Sequence, residues 1–275
     1  LVHVQPGVRL CDLAADALEH DLMYPPDPGE KTGSLGGNVS TNAGGMRAVK
    51  YGTTRDYVLA MTVVLPNGQI LELGRSVTKT SSGYSLLHLM IGSEGTLGVI
   101  TELTLKLIPN PKEDISFILP FADIDAAISA VPKIKLAGLS PQSIEFMERD
   151  IVDSSANYTG NKIIPTVIDG KEAGAYILVT LDGNDQDEIF QRAETLAEIG
   201  DEIGAYDTLV LSHPADKRAV WEARSAFLTV IEAETDLIDE MDVVVPVDKI
   251  PTFLEYAHEI GDKYEVRIRS FGHAG

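Results

Sequence analysis

Apolar residues recur along this chain at two spacings, one typical of helices and one typical of strands. Residues 9–20 carry leucine and alanine at helical spacing and predict a helix. Apolar runs over 58–65 and 69–73 flank Asn67-Gly68, a dipeptide typical of two-residue turns, and this pattern predicts a β-hairpin. The same spacings predict further strands over 1–8 and 99–107 and a short helix over 85–91.

The prolines of Pro109-Asn110-Pro111 mark the clearest boundary in the sequence. We therefore expect two domains, 1–109 and 110–275. The second should hold an antiparallel sheet with helices on one face. Its predicted strands cover 115–119, 143–147, 175–181, 208–211, 243–245 and 266–270, and its predicted helices cover 124–131, 185–199, 216–235 and 249–264.

Residues 33–45, Gly-Ser-Leu-Gly-Gly-Asn-Val-Ser-Thr-Asn-Ala-Gly-Gly, hold many glycines and small polar residues and no charge. Glycine permits positive φ and a close approach to a ligand. We interpret the stretch as a loop whose backbone N–H groups cradle a flat polar ring or an anion. A flexible linker is the alternative, although Val39 and Ala43 interrupt the polar run.

Charge excludes some partners. The chain has 22 basic and 42 acidic residues, a formal net charge of −20, which disfavours nucleic acid and anionic membrane surfaces as partners.

No apolar run in the sequence approaches the ~20 residues that span a bilayer. Cys11 is the single cysteine and suits a reducing compartment, so we expect a cytoplasmic protein. The chain starts without methionine inside a strand-like run, and we interpret it as an internal fragment.

Several motifs, in this order, resemble the FAD-linked oxidases of the vanillyl-alcohol-oxidase type, within them the D-lactate dehydrogenase and glycolate oxidase large-subunit group. They are Tyr-Pro-Pro-Asp-Pro at 24–28, Leu-Gly-Gly-Asn at 35–38, Thr-Asn-Ala-Gly-Gly at 41–45, Tyr-Gly-Thr-Thr-Arg-Asp at 51–56 and Gly-Ser-Glu-Gly-Thr-Leu-Gly-Val-Ile-Thr at 92–101. The resemblance implies an α+β fold: the second half of a PCMH-type FAD-binding domain, then a ferredoxin-like antiparallel-sheet cap domain.

The resemblance implies FAD as the cofactor and places it along the glycine-rich blocks. The family binds the pyrophosphate largely through an earlier Arg-Gly-x-Gly-Thr-Ser loop, which this chain lacks, so we expect the chain alone to be colourless and inactive. The implied cofactor residues are Pro25, Gly33, Ser34, Gly36, Gly37, Asn38, Thr41, Asn42, Gly44, Gly45, Tyr51, Gly52, Glu94, Gly95, Gly98 and Ile100.

Two residues are implied to carry chemistry. Arg224 matches a family Trp-x-x-Arg pattern whose arginine grips the substrate carboxylate, since a guanidinium offers a charged bidentate fork. The residues alone favour a solvated helix-face arginine paired with Glu222 or Glu232, and the resemblance is what points to the substrate role. His273 begins a motif through which many members bind a divalent metal. It is a single ligand here, so we expect no specific metal on this chain, and the resemblance leaves a divalent metal open for the longer parent protein.

The expected function is oxidation of a small anionic D-2-hydroxy acid, such as D-lactate or glycolate, with hydride transfer to FAD. The electron acceptor stays open. The alternative is a non-catalytic binding module, or a flavoprotein of the same fold that acts on a different alcohol. Glu145 and Glu148 resemble residues of the family's cap strand, and the sequence indicates no chemical role for them.

Overall fold

The computed structural model describes residues 1–77 and 79–275. The chain forms two compact units, Leu1–Asn110 and Pro111–Gly275, called here the N-terminal and C-terminal units. No helix in the described residues has the length and apolarity that crossing a bilayer requires.

The N-terminal unit is built on a four-stranded antiparallel sheet in the order β1-β5-β3-β4, with β2 and β6 pairing separately. The predicted hairpin is confirmed: β3 and β4 pair Val64 with Ile70, and Gly68 takes φ +83° in the turn. The strands are β1 Val2–Val4, β2 Leu22–Met23, β3 Val58–Val64, β4 Ile70–Gly74, β5 Val99–Leu105 and β6 Ile108–Pro109. The helices are α1 Leu10–Glu19, α2 Leu35–Thr41, α3 Ala48–Tyr51 and α4 Leu86–Met90.

The prediction of a loop over residues 33–45 is wrong at its centre, because the structure has helix α2 there. Ser34 caps this helix, and its Oγ accepts a hydrogen bond from Gly37 N–H at 3.1 Å. Leu35 and Val39 lie one turn apart and are both fully buried. Anchored by this pair, the glycines become helical, and the helix ends at Asn42 in the left-handed region.

The C-terminal unit holds a five-stranded antiparallel sheet in the order β12-β7-β11-β8-β13, as the fold class predicts, and β9 pairs with β10. The strands are β7 Glu113–Phe121, β8 Ser143–Glu148, β9 Val167–Ile168, β10 Lys171–Glu172, β11 Ala175–Gly183, β12 Leu209–Leu211 and β13 Phe271–His273. The helices are α5 Ile124–Leu136, α6 Arg149–Thr159, α7 Gln186–Glu202, α8 Pro214–Ser225, α9 Phe227–Glu234 and α10 Ile250–Tyr264.

The expectation of helices on one face of this sheet is wrong. In β11 only Gly183 is not fully buried, so both faces of that strand are covered. On one face Leu178 belongs to a core with Ile151 of α6 and Phe227 of α9. On the other face Leu119 lies against α7, where a Cβ on Gly200 would sit 3.2 Å from its side chain.

Several other predicted elements also differ. The helix predicted over 216–235 is two helices that meet at Ala226. The strands predicted over 243–245 and 266–270 are irregular, and the last strand is β13 instead. Val244 is 99% exposed, so this apolar run has no buried face. Helix α6 was missed because its buried face includes Ser154 and Ser155, which weaken the apolar periodicity.

Candidate functional site

An open cleft of about 370 Å³ lies beside α2 in the N-terminal unit. It is called the glycine cleft here, and its lining is Pro6, Gly7, Ser34, Gly36, Gly37, Ser40, Gly95, Gly98, Val99 and Ile100. Six of the predicted cofactor residues are among these: Ser34, Gly36, Gly37, Gly95, Gly98 and Ile100. Glycine-rich walls let a ligand approach the backbone closely.

The N–H groups at the start of α2 are already used inside the protein. Leu35 N–H donates to the Val8 carbonyl and Gly36 N–H to the Pro6 carbonyl, both at 2.8 Å. Gly37 N–H donates to its Ser34 cap at 3.1 Å. The expected cradle of free N–H groups is therefore absent from this first turn, because the donors fasten the helix to the preceding segment.

The glycines of the cleft serve two purposes. A Cβ on Gly36 would lie 2.5 Å from the Pro6 Cβ, and one on Gly98 would lie 2.5 Å from the Val63 side chain. Packing alone therefore excludes a side chain at both positions. Gly95 has φ +75° and open space around its Cβ position. Its N–H makes no backbone hydrogen bond within the described residues, so it leaves a donor at the cleft.

The remaining predicted cofactor residues lie outside this lining: Pro25, Gly33, Asn38, Thr41, Asn42, Gly44, Gly45, Tyr51, Gly52 and Glu94.

Some of these residues hold the surrounding loops together. Asn42 Oδ1 accepts hydrogen bonds from Arg55 N–H at 3.0 Å and from Thr53 Oγ1 at 3.2 Å. Gly45 has φ +140° and passes so close to the Asp27 carbonyl that a Cβ would sit 2.1 Å from its oxygen. Asn38 is different, because its Nδ2 is buried with no partner among the described residues.

The glycine cleft fits part of the implied cofactor. It combines a glycine backbone, the short side chains Ser34 and Ser40, and the apolar residues Val99 and Ile100. A flat ring with apolar faces and a polar edge, as in the flavin of FAD, suits such a lining.

A second candidate site lies in the C-terminal unit, where both residues implied to carry chemistry meet on one carboxylate. Arg224 Nη2 donates to Glu145 Oε2 at 2.8 Å, and His273 Nδ1 lies 2.7 Å from Glu145 Oε1. Glu145 is fully buried, Arg224 is 8% exposed, and the His273 side chain is 50% exposed. The pairing of Arg224 with Glu222 or Glu232 is therefore wrong, since its partner comes from β8.

Aromatic rings fix the Arg224 guanidinium. Its central carbon lies 4.7 Å from the Phe271 ring centre and 5.4 Å from that of Phe227. These two rings meet edge to face with their centres 5.3 Å apart. Cation–π attraction is stronger where water is excluded. The two rings therefore stabilise the positive charge of the guanidinium and also keep the group in position.

Sequence reasoning missed Glu145. The available signal was an acidic residue between Ile144 and Phe146 in an apolar strand. Such a position buries a charge, and a buried charge needs a partner. Glu148 on the same strand also binds a histidine, since its Oε1 lies 2.9 Å from His258 Nε2.

The described residues around His273 do not by themselves form a metal site. No group of three His, Cys, Asp or Glu side chains that could hold a metal ion occurs in residues 1–77 and 79–275. Both oxygens of Glu145 are already engaged, by Arg224 and by His273 itself.

Comparisons with known proteins bear on both units. Residues 110–275 match the model of the FAD linked oxidases, C-terminal domain, and residues 1–74 match a FAD binding domain. A solved alkyldihydroxyacetonephosphate synthase shares the fold with a TM-score of 0.73. It is 20% identical, and the match covers 95% of this chain and 52% of that one.

Curated relatives match nearly the whole chain. A D-lactate dehydrogenase of Anaerostipes hadrus is 54% identical over 275 residues, 100% of this chain and 58% of that protein. A glycolate oxidase subunit of Bacillus subtilis (strain 168) is 34% identical over 276 residues, 99% of this chain and 57% of that protein. The chain thus spans less than two thirds of these relatives. Because one family model covers more than half of its residues, the chain belongs to the FAD linked oxidases.

Proposed function

We propose that the whole protein is a flavin-dependent dehydrogenase of a small D-2-hydroxy acid. The observation that carries this proposal is the meeting of Arg224 and His273 on the buried carboxylate of Glu145. It places a fixed cation and a half-exposed imidazole side by side, and a 2-hydroxy acid has a carboxylate and a hydroxyl on neighbouring carbons. The relatives named D-lactate dehydrogenase and glycolate oxidase subunit support the same substrate class.

The glycine cleft would hold the flavin ring of FAD. Its glycines allow a close approach, Val99 and Ile100 offer an apolar surface, and Gly95 N–H is available to a polar ring edge. When bound, FAD supplies a hydride acceptor for oxidation of the substrate α-carbon. The residues of the cleft bind and orient the ring, and they take no proton themselves.

Arg224 is the proposed partner of the substrate carboxylate. Its guanidinium stays charged, and two aromatic rings and Glu145 fix it in place. A fixed donor loses little side-chain entropy on binding, which favours a small anionic ligand. The chain's net charge of −20 makes such a local cation the main attraction for an anion.

His273 is the proposed acceptor of the hydroxyl proton. One ring nitrogen, Nδ1, faces Glu145, and the ring is half exposed, so Nε2 remains for the substrate. A histidine suits general base work because its ordinary pKa lies near neutral pH.

A substrate panel on the full-length protein tests this proposal. It contains the D and L forms of lactate and 2-hydroxyglutarate, together with glycolate, an alditol and an aryl alcohol, each with a dye as electron acceptor. We expect reduction of the dye with glycolate or a D-2-hydroxy acid and a much lower rate with the L forms. Activity confined to the alditol or the aryl alcohol, or no activity in a protein loaded with FAD, would contradict the proposal.

A further inference from the structure

We propose that Lys217 is a positioning residue of the candidate substrate site: it fixes the register of α8 against β7 and thereby places the Arg224 guanidinium. This inference rests on the proposed function, in which Arg224 meets the substrate carboxylate. Lys217 touches neither substrate nor cofactor in this role, because it acts through the helix. Trp221, which lies between these two residues on α8, provides the second contact that the register needs.

One side of α8 carries three polar side chains that each contact a strand of the central sheet. Residues 217, 221 and 224 are spaced four and three apart, so they lie on the same side of the helix. Lys217 Nζ donates to Asp114 Oδ1 at 2.6 Å and to the Asp114 carbonyl at 2.8 Å. Trp221 Nε1–H donates to Ser116 Oγ at 3.3 Å. Two contacts therefore reach β7, and the third, from Arg224, crosses to β8.

The spacing of the two β7 contacts matches the spacing along the helix. Four residues of an α-helix rise by about 6.0 Å, and two residues of a β-strand span about 6.8 Å. Asp114 and Ser116 are two residues apart and lie on the same face of β7, so Lys217 and Trp221 reach both at once. A shift of α8 by one residue would rotate the stripe by about 100° and turn both side chains away from the strand.

The apolar side of α8 supplies packing without fixing this register. Val220 and Ala223 are buried in the core of the C-terminal unit. Apolar burial is non-directional, so it holds the helix on the sheet and tolerates small shifts along it. The side chains of Lys217 and Asp114 are 20% and 45% exposed, and a partly exposed ion pair contributes little to stability. The Lys217 contact is therefore better suited to placement than to holding the fold together.

The register of α8 decides where the Arg224 guanidinium stands. Arg224 lies one turn beyond Trp221, next to the last residue of the helix. Within residues 1–77 and 79–275, its one hydrogen bond is from Nη2 to Glu145 Oε2, and its buried Nε has no partner. A single hydrogen bond at the tip of a long side chain cannot hold the helix in place. A displacement of α8 would therefore move the cation, and a misplacement of about 1 Å is enough to weaken catalysis strongly.

The experiment compares Lys217→Met with Lys133→Met in full-length protein loaded with FAD. Methionine keeps an apolar stem and removes the ammonium donor. Lys133 is the matched control, because its Nζ lies 2.8 Å from Glu202 Oε1 but joins α5 to α7 instead of α8 to β7. With the preferred hydroxy acid, Lys217→Met should raise KM about three- to tenfold and change kcat much less, since a displaced cation weakens carboxylate binding. Lys133→Met should leave both constants unchanged.

A second kinetic measurement separates positioning from a general loss of stability. In the Arg224→Ala background, Lys217→Met should have no further effect on KM, because the group that it places is gone. An effect of equal size in both backgrounds would overturn the inference, as would a wild-type KM in a folded Lys217→Met protein. If that variant does not fold, Trp221→Phe tests the same claim with the same expected rise in KM. It removes the other β7 contact, while Ser116 Oγ keeps its 2.9 Å contact with Thr180 Oγ1.

Crystal structures of the full-length wild-type and Lys217→Met proteins keep this inference distinct from the proposed function. We expect α8 to shift along β7 and the distance from Arg224 Nη2 to Glu145 Oε2 to exceed the hydrogen-bond range of about 3.2 Å. An unmoved Arg224 would overturn the inference even if hydroxy acids are oxidised. If no hydroxy acid is oxidised, the proposed function fails, and the two structures still decide whether Lys217 places Arg224.

Discussion

Removal of the Arg224 guanidinium should destabilise the C-terminal unit strongly. Glu145 is fully buried, and Arg224→Met would leave its carboxylate without a cation. Breaking a buried ion pair by removing one partner costs about 3–5 kcal/mol. Methionine can still pack between the rings of Phe227 and Phe271, so most of this loss comes from the uncompensated charge.

The chain has one tryptophan, which makes the measurement simple. Trp221 lies on α8 one turn before Arg224, and its Nε1–H donates to Ser116 Oγ of β7 at 3.3 Å. Its fluorescence in a urea titration therefore reports unfolding of the C-terminal unit. In a thermal melt, 3–5 kcal/mol corresponds to a Tm lower by roughly 6–20 °C for a unit of this size.

Arg267→Met is the control, because that side chain is 59% exposed and its ion pairs lie at the surface. Exposed pairs contribute about 0–1 kcal/mol. The double variant Arg224→Met/Glu145→Gln should be more stable than the sum of its single changes implies, with a coupling of about 1–3 kcal/mol. Strict additivity, or equal losses for Arg224→Met and Arg267→Met, would refute the reasoning.

Three further outcomes are expected. Gly36→Ala should lower the stability of the N-terminal unit by about 1–3 kcal/mol, since its Cβ would lie 2.5 Å from Pro6. Gly7→Ala, with nothing within 4 Å of its Cβ position, should have a much smaller effect in thermal melts followed by circular dichroism, and equal effects would contradict the packing argument. Burial raises the pKa of Tyr176 to about 12, so the stability this group contributes is fully present below its ordinary value of 10 and is lost as pH rises through about 12. Tyr176→Phe should remove that part of the alkaline pH dependence of the free energy of unfolding. An unchanged pH dependence in urea titrations of the variant would contradict its assignment to Tyr176. In the full-length protein, Arg224→Ala should lower kcat/KM roughly ten- to hundred-fold, which corresponds to a loss of ~1.5–3 kcal/mol of transition-state stabilisation. Arg224→Lys should recover only part of the wild-type kcat/KM, because lysine lacks the bidentate fork of arginine. A kcat/KM near the wild-type value in both variants would contradict the assignment of Arg224 to the substrate site.

The sequence alone determined the elements that local interactions encode. The helix over 9–20, observed as α1, follows from apolar spacing within a few turns, and the β3–β4 hairpin follows from Asn67-Gly68. Ordered motifs indicated the family, and a family model now matches most of the chain. In each case the signal lies within a short stretch of residues, so tertiary contacts add little to it.

Tertiary structure decided the candidate sites. Arg224 and Glu145 are 79 residues apart in sequence and Glu145 and His273 are 128 apart, and their contacts depend on how β8 and β13 pair and where α8 packs. A shift of one residue in that pairing would turn His273 to the opposite face. Likewise, α2 is a helix because burial of Leu35 and Val39 outweighs the low helix propensity of its glycines. Local patterns identify the residue types, but only long-range packing selects which of them meet.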